Sequence, residues 1–343
     1  MKRILAMLIV SMSLWLATLP AQVITKVGTT SAQFLKIGVG SRAIGMGSAF
    51  VGVAGDATSL YWNPAGISWL SKRETGMAYN SWLAGTNFSF CGIVVPMGEM
   101  GTIGTAFTSL SIPEMEVRTI EEPEGTGVYF GASDLALGLS YARSLTDRFS
   151  FGLTVKYIYQ KIWLMDASSF AIDVGTLYKS EFHNLRMGMS ISNFGGKMRM
   201  LGENTRIEHA VTDWQEALNV GFIGDLRTGQ FPLPLRFRVG LAIDLLKMYI
   251  LNREYLRLTL ATDAVHPNDN TEYVNLGAEL ALLDMLSVRI GYKSLFGKDS
   301  EEGPTAGVGL KYNLENYTIS IDYAYANFGR LGYLQRISMG IGF

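Results

Sequence analysis

From about Thr75 to Phe343 the apolar residues recur at every second position. The pattern is cleanest at the far end, where Tyr317, Ile319, Ile321, Tyr323 and Tyr325 alternate with Thr318, Ser320, Asp322 and Ala324. Phe149, Phe151, Leu153, Val155, Tyr157 and Tyr159 alternate in the same way with Ser150, Gly152, Thr154 and Lys156. Further examples are Leu135/Leu137/Leu139/Tyr141, Met187/Met189/Ile191, Leu235/Phe237/Val239/Leu241/Ile243 and Val288/Ile290/Tyr292. Side chains on a strand point alternately to opposite faces, so each segment carries one apolar face and one small or polar face. The second face also holds full charges: Lys156, Asp173, Arg186, Arg236, Arg238, Asp244, Arg257, Arg289, Lys293, Lys311 and Asp322. A charge facing hydrocarbon costs several kcal/mol at the bilayer midplane, so this face is expected to line an enclosed lumen.

Strand length separates a membrane cylinder from a soluble sandwich. The segments run about 9–11 residues, as tilted spanning strands do, where soluble strands average about 5–6. Aromatics cluster near their ends, at Tyr157, Tyr159, Tyr292, Tyr312 and Tyr325, as interfacial girdles require. Fifteen candidate strands can be marked, but a barrel with both ends on the periplasmic side needs an even number. Rejecting 216–224 leaves the short turns (96–101, 143–147, 179–183, 246–255, 283–285, 313–315) on one side. The longer loops (83–85, 111–132, 161–168, 194–234, 265–271, 295–303, 327–333) then fall on the other. The expected fold is all-β: a 14-stranded antiparallel transmembrane β-barrel over residues 73–343. Its closing strand places Ile337, Met339, Ile341 and Phe343 two apart. This is the form that barrel-insertion machinery accepts, although an ordinary edge strand could also end on Phe.

Composition sharpens the expectation. Only 17 % of residues are charged, against about 25 % in soluble domains, while Gly numbers 38, aromatics reach 11 % and mean hydropathy is +0.19. At the start, Met1-Lys2-Arg3, the apolar run Ile4–Leu19 and Pro20-Ala21 have the order of a secretory signal, residues 1–21, cut before Gln22. A retained anchor is the alternative, though the run is short for a spanning helix. The formal net charge of −1 argues against nucleic acid as a partner. Cys91 is the sole cysteine, which excludes an intramolecular disulfide and multi-Cys zinc sites, and it is expected on the lumenal face as a small buried residue.

Residues 22–72 break the alternation. Gly40-Ser41-Arg42-Ala43-Ile44-Gly45-Met46-Gly47-Ser48-Ala49-Phe50-Val51 is followed by Asp56-Ala57-Thr58-Ser59-Leu60-Tyr61-Trp62-Asn63-Pro64-Ala65-Gly66. Gly-rich backbone with short apolar stretches suits a segment packed into a narrow enclosure. No Gly-Lys-Ser/Thr follows, so a phosphate-cradling loop is not expected. These two runs resemble the opening signature of the PorV/PorQ family of outer-membrane proteins, which are related to FadL-type transporters. Ser192-Asn193-Phe194-Gly195, Asp263-Ala264-Val265-His266-Pro267-Asn268-Asp269-Asn270 and Arg289-Ile290-Gly291-Tyr292-Lys293 extend the resemblance along the chain. It implies a fourteen-stranded barrel with residues 22–72 as an N-terminal lumenal hatch, its motif carried by Arg42, Gly45, Gly47, Asp56, Trp62, Asn63 and Pro64.

No HExxH, GxSxG, EF-hand, Walker or Cys-His arrangement occurs, so neither an enzyme nor a cofactor is expected. Asp263, His266, Pro267 and Asp269 form an expected outer-loop motif. Its acids and histidine could hold a metal, but no fixed ligand count emerges, and Asn and Asp more simply stabilise turns there. The resemblance implies that outer loops, 194–234 above all, bind secreted proteins with C-terminal sorting domains and components of the type IX system. The other class of function is a FadL-like channel for hydrophobic small molecules. It would need an apolar pocket between hatch and wall, and few large apolar groups are expected on the lumenal face. The surrounding partner is outer-membrane lipid.

Overall fold

The computed structural model describes residues 26–210, 221–250, 253–298 and 300–343. The expected signal, residues 1–21, lies outside the described residues. The strands are β1 Glu74–Ser81, β2 Asn87–Pro96, β3 Thr102–Glu116, β4 Tyr129–Ser144, β5 Phe149–Ile162, β6 Met165–Lys179 and β7 Arg186–Gly195. After these come β8 Leu201–Gly202, β9 Arg206–Ala210, β10 Gly221–Asp225, β11 Arg236–Ile250, β12 Arg253–Pro267 and β13 Tyr273–Leu282. The last four are β14 Leu286–Leu295, β15 Pro304–Asn313, β16 Thr318–Asn327 and β17 Tyr333–Gly342.

Fourteen of these close an antiparallel cylinder, in which β1 pairs with β17, β5 with β6, and β7 directly with β11. The cylinder is closed, so no spanning strand leaves an edge unpaired in hydrocarbon. β8 adds two residues to the outer end of β6, while β9 and β10 form a separate hairpin in the long loop. The rejected strand 216–224 is therefore no part of the wall. Its described end belongs to β10, and 216–220 lie outside the described residues.

The two faces divide as the alternation requires. Leu139 and Ile290 are each 63 % exposed on the outer wall, whereas Arg238 at 2 % and Arg289 at 5 % point into the lumen. Ile337 and Met339 also face outward, beside Tyr323 and Ile321 of β16.

Four expectations need correction. The outer loop 161–168 shrinks to Trp163 and Leu164, because Lys161↔Asp166 and Ile162↔Met165 continue the β5–β6 ladder. Loop 111–132 shrinks in the same way to 117–128. The turn 246–255 is largely strand, since β11 runs to Ile250 and β12 resumes at Arg253. A bulge between Asp244 and Leu246 puts Leu245 and Leu246 both on the outside, which breaks the two-residue period and hides the continuation. Cys91 does not face the lumen. β2 is apolar on both faces, and Phe88, Phe90 and Val94 take the inside while Cys91 and Ile93 look outward.

Candidate functional site: the filled lumen

Residues 30–70 pack inside the cylinder, with Lys26–Thr29 and Ser71–Lys72 exposed at either end. A 3-10 turn at Gln33–Lys36 is followed by helix α1 (Ser41–Gly45), helix α2 (Ser59–Trp62) and a second 3-10 turn at Pro64–Trp69. Phe34, Leu35, Ile44, Met46, Phe50, Leu60, Trp62 and Ile67 are buried, and Phe88, Phe90, Val94 and Ile158 of the wall complete one apolar core with them. The lumen thus carries more large apolar groups than the sequence led one to expect. They are concentrated on the β2–β5 side, where the two-faced β2 concealed them.

Close packing is possible because the wall gives up side chains where the segment crosses it. A Cβ on Gly291 would lie 2.1 Å from the Gly47 nitrogen, and one on Gly175 would lie 2.1 Å from Asn63 Oδ1. Gly47 itself has φ +63, a conformation that L side chains rarely adopt. Three pairs of these wall glycines are direct cross-strand neighbours: Gly152↔Gly175, Gly188↔Gly240 and Gly277↔Gly291. They face Ala65 and Asn63, Val51 and Gly52, and Met46 and Gly47 respectively. Backbone therefore meets backbone over a large part of the circumference.

Polar contacts fix the register of segment and wall. Near the end that bears the short turns, Arg42 forks onto Glu279 at 2.9 and 2.8 Å. Glu279 also accepts from Arg289 Nε at 2.6 Å, and Arg289 donates to Asp322 at 2.5 Å. Arg42 adds Asp56 at 3.2 Å, so the chain of charges runs from segment to wall with both signs represented. At mid-lumen, Asp263 accepts the backbone N–H groups of Phe50 and Val51 at 2.8 and 3.0 Å. Asn63 donates to Val51 O and to Thr176 O, 3.0 Å each, and accepts from Ala65 N–H, which fixes the bend before Pro64. Trp62 Nε1 donates to Val39 O at 2.9 Å. Towards the other end, Arg236 donates to Leu35 O at 2.7 Å and Arg336 to Gly38 O at 2.7 Å. Arg238, 2 % exposed, stacks over Tyr61 and Trp62 at 5.6 and 5.1 Å from the ring centroids.

The expected outer-loop motif divides into parts with different surroundings. Asp263 lies on β12 and faces the lumen, so it is not in a loop. His266 points outward and meets Glu272 at 2.9 Å, and Pro267 ends β12. Asp269 turns inward and accepts from Thr30 at 2.7 Å, Lys36 at 3.0 Å and Gln33 at 3.2 Å. Among the described residues no group of three or more His, Cys, Asp or Glu could hold a metal. Of the motif positions assigned to the segment, Arg42, Asp56, Trp62 and Asn63 make the contacts above, and Gly45 lies against Gly307 of β15. Glu279, Gly277 and Gly291 lie in stretches that resemble the family but were given no role from the sequence, and Arg336 and the other wall glycines were given none either. Glu279 and Arg336 also sit at inward positions of well-patterned strands.

Residues 231–235, the return leg of the long loop, fold over the outer end of the lumen. Ser31 N–H donates to Pro232 O at 2.9 Å, Asn193 Nδ2 to Pro234 O at 3.1 Å and Asn268 Nδ2 to Leu233 O at 3.0 Å. Met198 and Leu233 are buried beneath this leg, while Ile223 and Leu226 near its hairpin stay 74 % and 55 % exposed.

Residues 21–223, more than half of the chain, match the family described as type IX secretion system protein PorV. The chain belongs to the PorV family. A PorV-family barrel is an outer-membrane protein associated with type IX secretion, a non-enzymatic kind of protein. No curated protein sequence matches. Among solved structures, a Pseudomonas aeruginosa FadL homologue aligns with TM-score 0.52, 12 % identity, and coverage of 89 % of this chain and 98 % of its own. The Pseudomonas putida toluene transporter TodX aligns with TM-score 0.55, 12 % identity and coverage of 89 % and 97 %. The Ralstonia pickettii toluene transporter TbuX gives 0.53, 12 %, 89 % and 97 %. At this identity the likeness establishes a shared FadL-like fold.

Two outcomes follow for this PorV-family lumen. Glu279→Ala leaves Arg42 and Arg289 buried without their shared carboxylate, and removing one partner of a buried ion pair costs about 3–5 kcal/mol. Urea unfolding in detergent micelles should register that loss, and an unchanged midpoint would contradict the role given to Glu279. Burial alone would raise the Asp269 carboxyl, but Thr30, Lys36 and Gln33 outweigh it and hold Asp269 below the ordinary aspartate value. A lowered folded value means that the stabilisation is complete above the ordinary aspartate pKa of about 3.9 and is lost as pH falls through the folded value. Hydrogen-exchange protection at Thr30–Lys36, taken relative to the unstructured rate at each pH, should therefore stay constant from about pH 8 to 5 and fall only below about pH 4. Release already between about pH 7 and 5 would contradict the assignment.

Proposed function

We propose that this barrel serves type IX secretion as a docking platform, holding exported proteins or secretion components at its outer loops while a hatch keeps its lumen closed. Family membership supplies the system, and the filled lumen carries the choice of surface. The apolar gap beside Leu35, Leu60, Tyr61 and Phe90 holds about 20 Å³. That is room for about one water molecule, since a cavity needs roughly 10–15 Å³ of such volume to hold one. An aromatic hydrocarbon or fatty acid has no room there without displacement of the segment. Binding capacity lies instead at the outer end, where Ile120 (96 %), Val128 (50 %), Ile223 (74 %) and Leu226 (55 %) are exposed on loops rather than on the wall. Large apolar residues exposed outside the hydrocarbon band are a mark of protein contact.

The β9–β10 hairpin is the part of this surface that can be removed without touching the wall, since among the described residues its strands pair only with each other. Replacing residues 206–225 by a short Gly-Ser linker should abolish co-purification of secreted proteins or secretion components from detergent-solubilised membranes. The trimmed barrel should keep the heat-modifiable mobility of a folded cylinder. Unchanged recovery of partners from the trimmed barrel would remove the hairpin from the account. Stoichiometric fatty acid or aromatic hydrocarbon inside the intact barrel, with no protein partner recovered, would replace docking by transport.

A further inference from the structure

We infer, taking the docking proposed above as given, that the return leg 231–235 of the long loop is a latch on the outer start of the lumenal segment. A protein that draws on this loop frees Thr30–Lys36 from the wall. The two sides of the leg differ in character. Inward, Leu233 is 2 % exposed, and two consecutive carbonyls, Phe231 O and Pro232 O, accept from the Ser31 hydroxyl at 3.3 Å and the Ser31 N–H at 2.9 Å. Outward, the Phe231 side chain is 48 % exposed, and it follows the exposed Ile223 and Leu226 along the same loop. One stretch of backbone thus presents an apolar surface to the exterior and grips the segment from behind.

The leg is fastened at few points. Met198 and Phe231 exchange both backbone hydrogen bonds, at 2.9 and 3.0 Å, in an isolated bridge outside the barrel ladder. Asn193 and Asn268 each donate one side-chain bond to its carbonyls, at 3.1 and 3.0 Å. The start of the segment does not support itself either. Ala32 has φ +50, a left-handed conformation uncommon outside glycine, and the 3-10 turn Gln33–Lys36 that follows is only four residues long. Its placement comes from three sides: the leg at Ser31, Gln160 of β5, which accepts the Ala32 N–H at 3.0 Å, and Asp269, which accepts from Thr30, Gln33 and Lys36. Leg and segment each take part of their hold from the other, so they open as one unit. Such coupling is reciprocal: what loosens one loosens the other. The bonds of Arg42 to Glu279 lie near the opposite end, which confines the release to the outer part of the segment.

Hydrogen exchange on the full chain in detergent micelles tests the latch from both sides. Leu233→Asp unseats the leg, and protection at Ala32, Leu35 and Ile37, whose amides bond to Gln160 and within the segment, should fall at least about 5-fold. Gln160→Ala loosens the segment from the β5 side, and protection at Met198 and Phe231 should fall with it. Ile44 and Gly47 should exchange as in the parent protein. If Leu233→Asp does not fold, Met198→Ala, which trims a side chain buried beneath the leg, takes its place. A loss confined in each variant to the element that was altered overturns the latch, and so does a loss that reaches Ile44 and Gly47. Replacing residues 206–225 by the Gly-Ser linker should leave the joint response intact, since β9 and β10 pair with each other and not with the leg. Partner recovery lost with the hairpin, while leg and segment respond separately, defeats the latch and leaves docking standing. A joint response in a barrel that recovers partners equally with and without the hairpin supports the latch and refutes docking at the hairpin.

Discussion

Backbone contact between the lumenal segment and the wall is the constraint on which the rest of the structure depends. A fourteen-stranded cylinder encloses a space that inward side chains alone do not fill, and here a folded piece of the same chain fills it. Glycine on both sides of the contact, as at Gly47 and Gly291, lets the segment lie flat against the sheet. Side chains at those positions would force the segment towards the axis and open a gap along the strands. The charges then follow from the geometry. With the wall stripped to backbone at the crossing, register is set by a few groups that reach inward: Glu279, Asp263, Arg236 and Arg336, each bonded to the segment.

These anchors differ in kind along the axis. Near the short turns the contact is ionic and continuous, from Asp56 through Arg42, Glu279 and Arg289 to Asp322. At mid-lumen a carboxylate binds backbone N–H groups, and near the outer end guanidinium groups bind backbone carbonyls. Removal of Glu279 takes from Arg42 and Arg289 the carboxylate that joins them and leaves each with one partner, so the segment and the wall favour a single relative placement. The outer loop joins the same arrangement through Ser31 and Pro232, which ties the lid over the lumen to the start of the segment.

The cylinder itself was legible from alternation, because hydrocarbon on one side and water or protein on the other enforce a period of two. Strand number came from parity, and it holds. What failed to show were the places where the period gives no information. A bulge at Asp244–Leu246 looked like a turn, and β2, apolar on both faces, sent Cys91 to the wrong side. The lumenal contacts were harder still. Asp263 reads as a loop residue because Pro267 and Asn268 follow it closely, yet the strand extends to Pro267 and turns it inward. Wall glycines carry no periodic signal, and only cross-strand register reveals that Gly188 stands beside Gly240 and Gly277 beside Gly291. The contacts between residues 30–70 and the wall carried no signal of their own in the sequence, because each depends on strand register.

The claim that this chain occupies its own lumen is tested most directly by electrical recording. The purified, folded protein inserted into a planar bilayer should give no stable conductance steps, because packed backbone fills the lumen where Gly47 and Asn63 meet Gly291 and Gly175. Reproducible ohmic steps from the intact protein at low voltage would contradict it, since ions would then be crossing where the structure places packed backbone.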